Sequence, residues 1–165
     1  MPCSALFRRV CRGRGPLSVL MMCFLGACHA AESGPGPAAS DLEGSRWRLA
    51  ELYGQAVELY DGQPEPHIAF ARPEEEEGGE ARRGKVLRLS GSDGCNYLLG
   101  TLELSAAGAR FSGMASTRRF CPEGDAQARR MARALEESDA VTVRGDTLEL
   151  SHGGTPAARF TRTSP

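Results

Sequence analysis

Short alternations of apolar and polar residues dominate the chain from residue 46 onward. Trp47 and Leu49 alternate with Arg46 and Arg48, which is the two-residue period of a strand with one buried face. The segment 67–71 repeats this pattern, and further segments of the same kind continue to residue 162. The sequence therefore predicts about eight short strands. Trp47, the only tryptophan, is expected in the core rather than against a ligand.

One segment has helical periodicity instead. Met131 and Leu135 are four residues apart, and two alanines extend the same apolar stripe. Pro122 suits the first position of a helix. The sequence therefore predicts one helix, over about 122–138.

Glycines mark the breaks between strand segments. Gly100 interrupts an apolar segment and predicts a β-bulge or a close backbone approach. Gly145 and Asp146 predict a two-residue hairpin turn. Segments 109–113 and 114–120 are two separate strand candidates before the predicted helix.

The N-terminal segment has the pattern of an export signal. Four arginines with no acidic residue precede an apolar run of eleven residues from Leu17 to Ala27, shorter than the ~20 residues of a membrane-spanning helix. The residues Leu-Gly-Ala-Cys that end at Cys28 resemble the lipobox of bacterial lipoproteins. That resemblance implies cleavage before Cys28 and attachment of lipid, including palmitate. Ordinary signal-peptidase cleavage after Ala30 is the alternative.

These features predict three regions. Residues 1–27 form a lipoprotein-type signal peptide, residues 28–40 a flexible tether rich in Gly, Pro and Ala, and residues 41–165 the folded domain. The expected location is the bacterial cell envelope, with the domain facing the periplasm. His29, rather than an Asp, follows the lipidated cysteine, which favours the outer membrane over the inner one.

Charge excludes one class of partner. Loss of the leader removes four of 20 basic residues and none of 21 acidic residues, so the mature chain has a net charge of −5. Nucleic acid is not an expected partner, because phosphate binding needs a basic surface. The expected partners are the membrane, through the lipid on Cys28, and an envelope protein.

Two cysteines remain in the mature domain. Cys95 and Cys121 are exported into an oxidising compartment, where two such thiols are expected to form a disulfide. Two unpaired buried thiols are the first alternative, and redox or metal chemistry is the second. For a metal, these cysteines would have to join His67 and His152, and the four lack the close ligand pairs of known sites. No metal or cofactor is predicted.

A glycine-rich turn surrounds the first of these cysteines. Gly94 can adopt positive φ where other residues are strained, and Asn96 can hydrogen-bond to nearby backbone groups. We expect a structural role for Asn96, with direct ligand contact as the alternative. The Glu-rich segment 73–85 is expected to be a solvated loop rather than a calcium site.

Four segments together carry a family resemblance: GSRWRLAELYG, SGSDGCNYLLGTLEL, MASTRRFCPEGD and the C-terminal GDTLELS with ARFTR. They resemble the META/HslJ family of small bacterial envelope domains, over about residues 41–162. The most specific elements are Gly94-Cys95-Asn96 and the segment from Thr117 to Cys121. The resemblance implies an α+β fold, mostly antiparallel, with a compact barrel-like sheet of about eight short strands and one helix.

No reaction follows from the resemblance, and no catalytic residue is predicted. We expect a non-enzymatic envelope lipoprotein, a binding or stability module linked to heat or antibiotic stress tolerance, as some family members are. One alternative is an inhibitor of an exported hydrolase. The other is a small thiol-dependent enzyme that uses Cys95, which would need a low-pKa thiolate beside a base.

Overall fold

The structure is a computed structural model that describes residues 36–73 and 85–163. The predicted lipidation site, Cys28, and most of the Glu-rich segment lie outside the described residues. The helices are α1 (Ala39–Leu42) and α2 (Asp125–Glu137). The strands are β1 (Arg46–Leu52), β2 (Gln55–Ala56), β3 (His67–Ala71), β4 (Val86–Ser92), β5 (Tyr97–Ser105), β6 (Gly108–Ser116), β7 (Ala140–Arg144), β8 (Thr147–His152) and β9 (Thr155–Thr163).

The strands form one antiparallel sheet in the order β6-β5-β4-β3-β1-β9-β8-β7, and β2 pairs with the end of β1. The sheet curls into a half barrel. Its edge strands approach each other at one end, where the Ala109 N–H donates to the Asp139 carbonyl at 2.8 Å. The predicted α+β fold with a mostly antiparallel, barrel-like sheet and one main helix is confirmed.

Helix α2 packs inside the curled sheet against β1, β6, β8 and β9. Its buried residues lie on one stripe, and Met131 and Leu135 at its centre are fully buried. The largest fully buried side chains of the core are Trp47, Phe70, Phe160, Leu42, Leu52, Ile68, Leu87, Leu89, Leu102, Met131, Leu135 and Leu148. Trp47 is thus a core residue, and its indole N–H donates to the Ser45 hydroxyl at 2.6 Å.

The predicted helix began too early. The structure places its first residue at Asp125 rather than Pro122, because residues 122–124 form a turn in which the Asp125 N–H donates to the Cys121 carbonyl at 3.2 Å. The two strand candidates before it are one strand, β6, which ends at Ser116. Residues 117–120 do not continue this strand, because the Tyr97 N–H donates to the Thr117 side chain and the Arg119 N–H donates to the Asn96 side chain, instead of to strand carbonyls.

Two glycines permit close approaches within the sheet. Gly100 lies at the irregularity in the β5–β6 register, as predicted, and a Cβ there would be 2.3 Å from the Met114 sulfur. Gly91 lies on the inner face of β4, where a Cβ would be 2.1 Å from the His67 carbonyl oxygen. Because that oxygen belongs to the backbone of β3, a side chain at position 91 cannot be accommodated without moving a strand.

Gly91→Ala should therefore lower the free energy of unfolding by about 2–3 kcal/mol, the usual cost of overpacking a rigid site. Urea unfolding followed by Trp47 fluorescence measures this change. Ser90→Ala, at the neighbouring exposed position, is the control and should stay within about 0.5 kcal/mol of the native chain. Equal effects of the two substitutions would contradict the assigned contact.

Candidate functional site

The turn between β4 and β5 is ordered by one buried carboxylate. Asp93 Oδ1 accepts hydrogen bonds from the backbone N–H groups of Cys95, at 2.8 Å, and Asn96, at 2.5 Å. Gly94, between Asp93 and Cys95, has φ +95°, a conformation that residues with side chains rarely adopt, and its N–H donates to the Ser92 hydroxyl at 3.1 Å. The turn is therefore fixed by its own side chains.

The segment Thr117–Cys121, here named the Phe120 loop, is bound to this turn. Asn96 Oδ1 accepts from the Arg119 N–H at 2.8 Å and from the Thr117 hydroxyl at 3.4 Å. The Thr117 N–H donates to the Tyr97 carbonyl at 3.1 Å, and the Tyr97 N–H donates to Thr117 Oγ1 at 3.0 Å. The Asn96 amide nitrogen donates to Asp93 Oδ2 at 3.4 Å, so both polar atoms of this side chain bind within the domain.

A disulfide completes the attachment. Cys95 and Cys121 are joined with a Cα–Cα distance of 5.9 Å, as predicted from their export. Both cysteines are buried and pack with Ala128 of α2 in a small cluster beside the main core. The structure thus gathers Gly94, Asn96 and Thr117 around one disulfide, which connects the β4–β5 turn to the segment that leads into α2.

Phe120 projects from this fixed loop into solvent. Its side chain is 92% exposed, the highest value among the exposed large hydrophobic residues of the described chain. Arg118 and Arg119 precede it and are exposed as well. Residues 117, 119 and 121 bind the domain, and residues 118 and 120 lie between them. A large aromatic side chain is therefore displayed on a backbone that is held on both sides.

The outer face of β5 adds two further apolar side chains. Tyr97 is 61% exposed and Leu99 59% exposed. The neighbours paired with Leu99 are Ser90 and Ala115, whose small side chains leave it prominent. We name Tyr97, Leu99 and Phe120 the outer patch.

A second surface feature lies at the β1–β2 turn. An open groove of about 340 Å³ is lined by Glu51, Tyr53, Gly54, Pro156, Ala157, Ala158 and Arg159. Tyr53 has φ 50°, which is uncommon for a bulky residue. Burial, followed by the nearby Glu137 charge, raises the pKa of its hydroxyl.

The charges around this groove are already paired. The Arg159 guanidinium lies 2.7 Å from Glu51 Oε2 and 3.3 Å from Glu149 Oε2. The Arg130 guanidinium lies 5.6 Å from the centre of the Tyr53 ring and donates to the Leu52 carbonyl at 2.9 Å. The Arg130 contacts bind the β1–β2 turn to α2. The paired charges leave the groove mainly apolar.

The two histidines of the described residues contact near neighbours in the sequence or fold. His67 Nδ1 lies 2.8 Å from the Glu65 carbonyl oxygen, and His152 Nδ1 lies 3.6 Å from Asp139 Oδ2. Residues 36–73 and 85–163 contain no group of three or more His, Cys, Asp or Glu residues that could hold a metal ion. Within the same ranges, no helix has the length and apolar character needed to span a membrane.

Sequence reasoning located the turn and the disulfide but missed Phe120 and Tyr53. Phe120 was assigned to a strand candidate, although the arginines before it and Pro122 after it interrupt strand alternation. Tyr53 precedes Gly54, and the pair forms the two-residue turn between β1 and β2. An aromatic residue directly before a turn glycine was the available signal.

The geometry defines a class: a small antiparallel half barrel that encloses one helix and carries a disulfide-bound loop. The META domain model matches residues 40–164, and the chain belongs to the META domain family. Two structures solved by NMR have similar folds, each with a TM-score of 0.54. One is 22% identical to this chain, and the match covers 74% of this chain and 92% of the other. The other, from Burkholderia xenovorans, is 18% identical, and the match covers 94% of this chain and 100% of the other.

These similarities to solved structures establish the fold alone. A search of curated proteins found no match.

The disulfide should stabilise the domain through the loop it closes. The cysteines are 26 residues apart, and a closed loop of this length is worth about 3–4 kcal/mol in the chain-entropy model. Replacing both cysteines by alanine should lower the free energy of unfolding by about that amount, measured by urea unfolding with Trp47 fluorescence. The native chain in excess reductant is the control and should shift in the same direction. A change below about 0.5 kcal/mol would show that the disulfide does not hold the loop.

Proposed function

We propose that this META domain is a non-enzymatic protein-binding module of the bacterial cell envelope, tethered to a membrane through lipid on Cys28. The observation that carries the proposal is the exposure of Phe120 on a loop held at both sides. A solvent-exposed aromatic side chain loses the free energy that its burial would provide. A partner protein that buries Phe120 would account for its exposure on an ordered loop.

The composition of the surface supports a protein partner. Aromatic residues and arginine are enriched among the residues that dominate protein–protein binding. The outer patch supplies Phe120 and Tyr97, and Arg118 and Arg119 adjoin it. The loop backbone is already ordered by Asn96 and the disulfide, so little conformational entropy is lost on binding.

The Phe120 loop lies at the opposite end of the domain from the segment that leads into it. The Phe120 loop binds Tyr97, which pairs with Ser92, and Ser92 pairs with His67 at the start of β3. The segment after α1 binds Phe70 near the other end of β3, where the Gly44 N–H donates to the Phe70 carbonyl at 2.9 Å. A five-residue strand separates these ends by roughly 13 Å.

The course of α2 agrees with this arrangement. The helix begins four residues after Cys121, and its 13 residues extend it by about 20 Å. The helix ends at Glu137, four residues before Val141. The Val141 carbonyl oxygen lies beside Gly36. The described chain therefore enters the domain at the end opposite to the Phe120 loop.

The chemistry of the described side chains supports a binding role rather than catalysis. The Cys95 sulfur is bonded to Cys121, so it provides no thiolate nucleophile while the disulfide is intact. A role in heat or antibiotic tolerance belongs to the same proposal, since a bound envelope protein can be protected against unfolding by mass action.

In-cell photocrosslinking tests the proposal on the full chain. A photoreactive phenylalanine analogue at position 120 and, separately, at position 97 should each give an adduct with the same protein. The same analogue at position 59 is the matched control, because Leu59 is 64% exposed and lies outside the outer patch. Because the proposal places lipid on Cys28, mass analysis of the membrane-extracted chain should find a lipidated N-terminal peptide that begins at Cys28.

Three results would contradict the proposal. These are adducts with lipid alone, the same adducts from position 59, or a membrane-extracted chain whose Cys28 carries no lipid.

A further inference from the structure

We infer that the Phe120 loop inhibits an exported endopeptidase whose specificity pocket accepts a large aromatic side chain. Phe120 occupies that pocket, and the peptide bond between Phe120 and Cys121 lies at the cleavage position. This inference rests on the proposed function, since it assigns a class of partner to the same loop. It is carried by a feature that simple docking does not require: both sides of that bond are attached to the domain independently.

The loop has the form that peptidase clefts bind. Residues 117, 119 and 121 bind the domain through hydrogen bonds or the disulfide, and residues 117–120 are all exposed. The N–H groups of Thr117 and Arg119 donate to the consecutive residues Tyr97 and Asn96, and groups two residues apart lie on the same side of an extended backbone. An extended segment with one prominent side chain matches a cleft that binds main chain and selects substrates through a pocket for that side chain.

The attachment on the N-terminal side of the bond is a hydrogen bond. The Arg119 N–H donates to Asn96 Oδ1 at 2.8 Å, and Thr117 binds Tyr97. The attachment on the C-terminal side is covalent, through the disulfide from Cys121 to Cys95. Cys95 and Asn96 are consecutive residues of one turn, so the two ends of a cleaved bond would remain held at neighbouring positions.

This arrangement converts cleavage into inhibition. Hydrolysis adds the hydroxyl of water to the Phe120 carbonyl carbon, breaks the bond to the Cys121 nitrogen and transfers the remaining proton to that nitrogen. In a flexible loop the new carboxylate and amine would separate. Here they stay close together, and a high effective concentration favours the reverse condensation, which releases the water again. The peptidase therefore retains the loop instead of releasing two products.

The native protein should inhibit chymotrypsin, a peptidase with a hydrophobic pocket, and should be cleaved slowly. Phe120→Lys should weaken this inhibition by about 30-fold or more, the effect of losing a dominant interface residue. The same variant should become an inhibitor of trypsin, whose pocket carries an Asp. Leu59→Lys adds the same charge at another exposed apolar position and is the control, which should leave inhibition of chymotrypsin unchanged.

The disulfide supplies a second test. The chain with both Cys95 and Cys121 replaced by alanine should be a substrate, cut rapidly after residue 120, because the C-terminal side is no longer attached. Trp47 fluorescence confirms that each variant is folded before the assay. Phe120→Lys is not expected to unfold the domain, since the side chain is exposed.

The outcomes separate this inference from the proposed function. A native chain that does not inhibit chymotrypsin, or that is cut rapidly after Phe120 with its disulfide intact, overturns the inference. Inhibition of trypsin by the native chain through Arg118 or Arg119 also overturns the assignment of Phe120. If chymotrypsin is not inhibited while positions 97 and 120 still crosslink to one envelope protein, the binding function stands without the inhibitory role.

Discussion

The buried carboxylate of Asp93 is the interaction on which the candidate site depends. It accepts two backbone hydrogen bonds from the next residues of the β4–β5 turn and so fixes where Cys95 and Asn96 point. The disulfide then fixes the segment before α2, and the Asn96 amide fixes the backbone of Arg119. Without this turn, the loop that carries Phe120 would have no ordered support.

The sheet gives the turn its own rigidity. Gly91 allows β4 to lie against β3 more closely than any side chain would permit, directly before the turn begins. Helix α2 fills the interior of the half barrel, and its Ala128 packs against the disulfide. The small domain thus connects its core to one exposed loop through the buried Asp93 carboxylate and disulfide, and the loop is held further by exposed hydrogen bonds to Asn96 and Tyr97.

Much of the fold was predictable because its signals are local. Alternation around Trp47 and Leu49 identifies a half-buried strand, and the Met131 and Leu135 stripe identifies the helix. The disulfide was predictable because the domain is expected to be exported into an oxidising compartment and contains only two cysteines. The start of α2 was not predictable, because it depends on the turn formed after the disulfide-bonded Cys121.

The candidate site was predictable only in part, for a related reason. Gly94 and Asn96 carry the composition of a tight turn, which marks them in the sequence. The exposure of Phe120 depends on which residue accepts the Arg119 N–H, and that acceptor is the side chain of Asn96, 23 residues away along the chain. No local pattern records such a contact, so an aromatic residue beside strand-like neighbours was placed in a strand.

Backbone ¹⁵N relaxation measures directly whether the Phe120 loop is ordered. We expect order parameters near 0.85 at Arg119 and Phe120, equal to those of the sheet. Asn96→Ala should reduce them in the loop and leave β8 unchanged. Values below about 0.6 at these residues in the native protein would contradict the claim that the turn and the disulfide hold Phe120 in a fixed position.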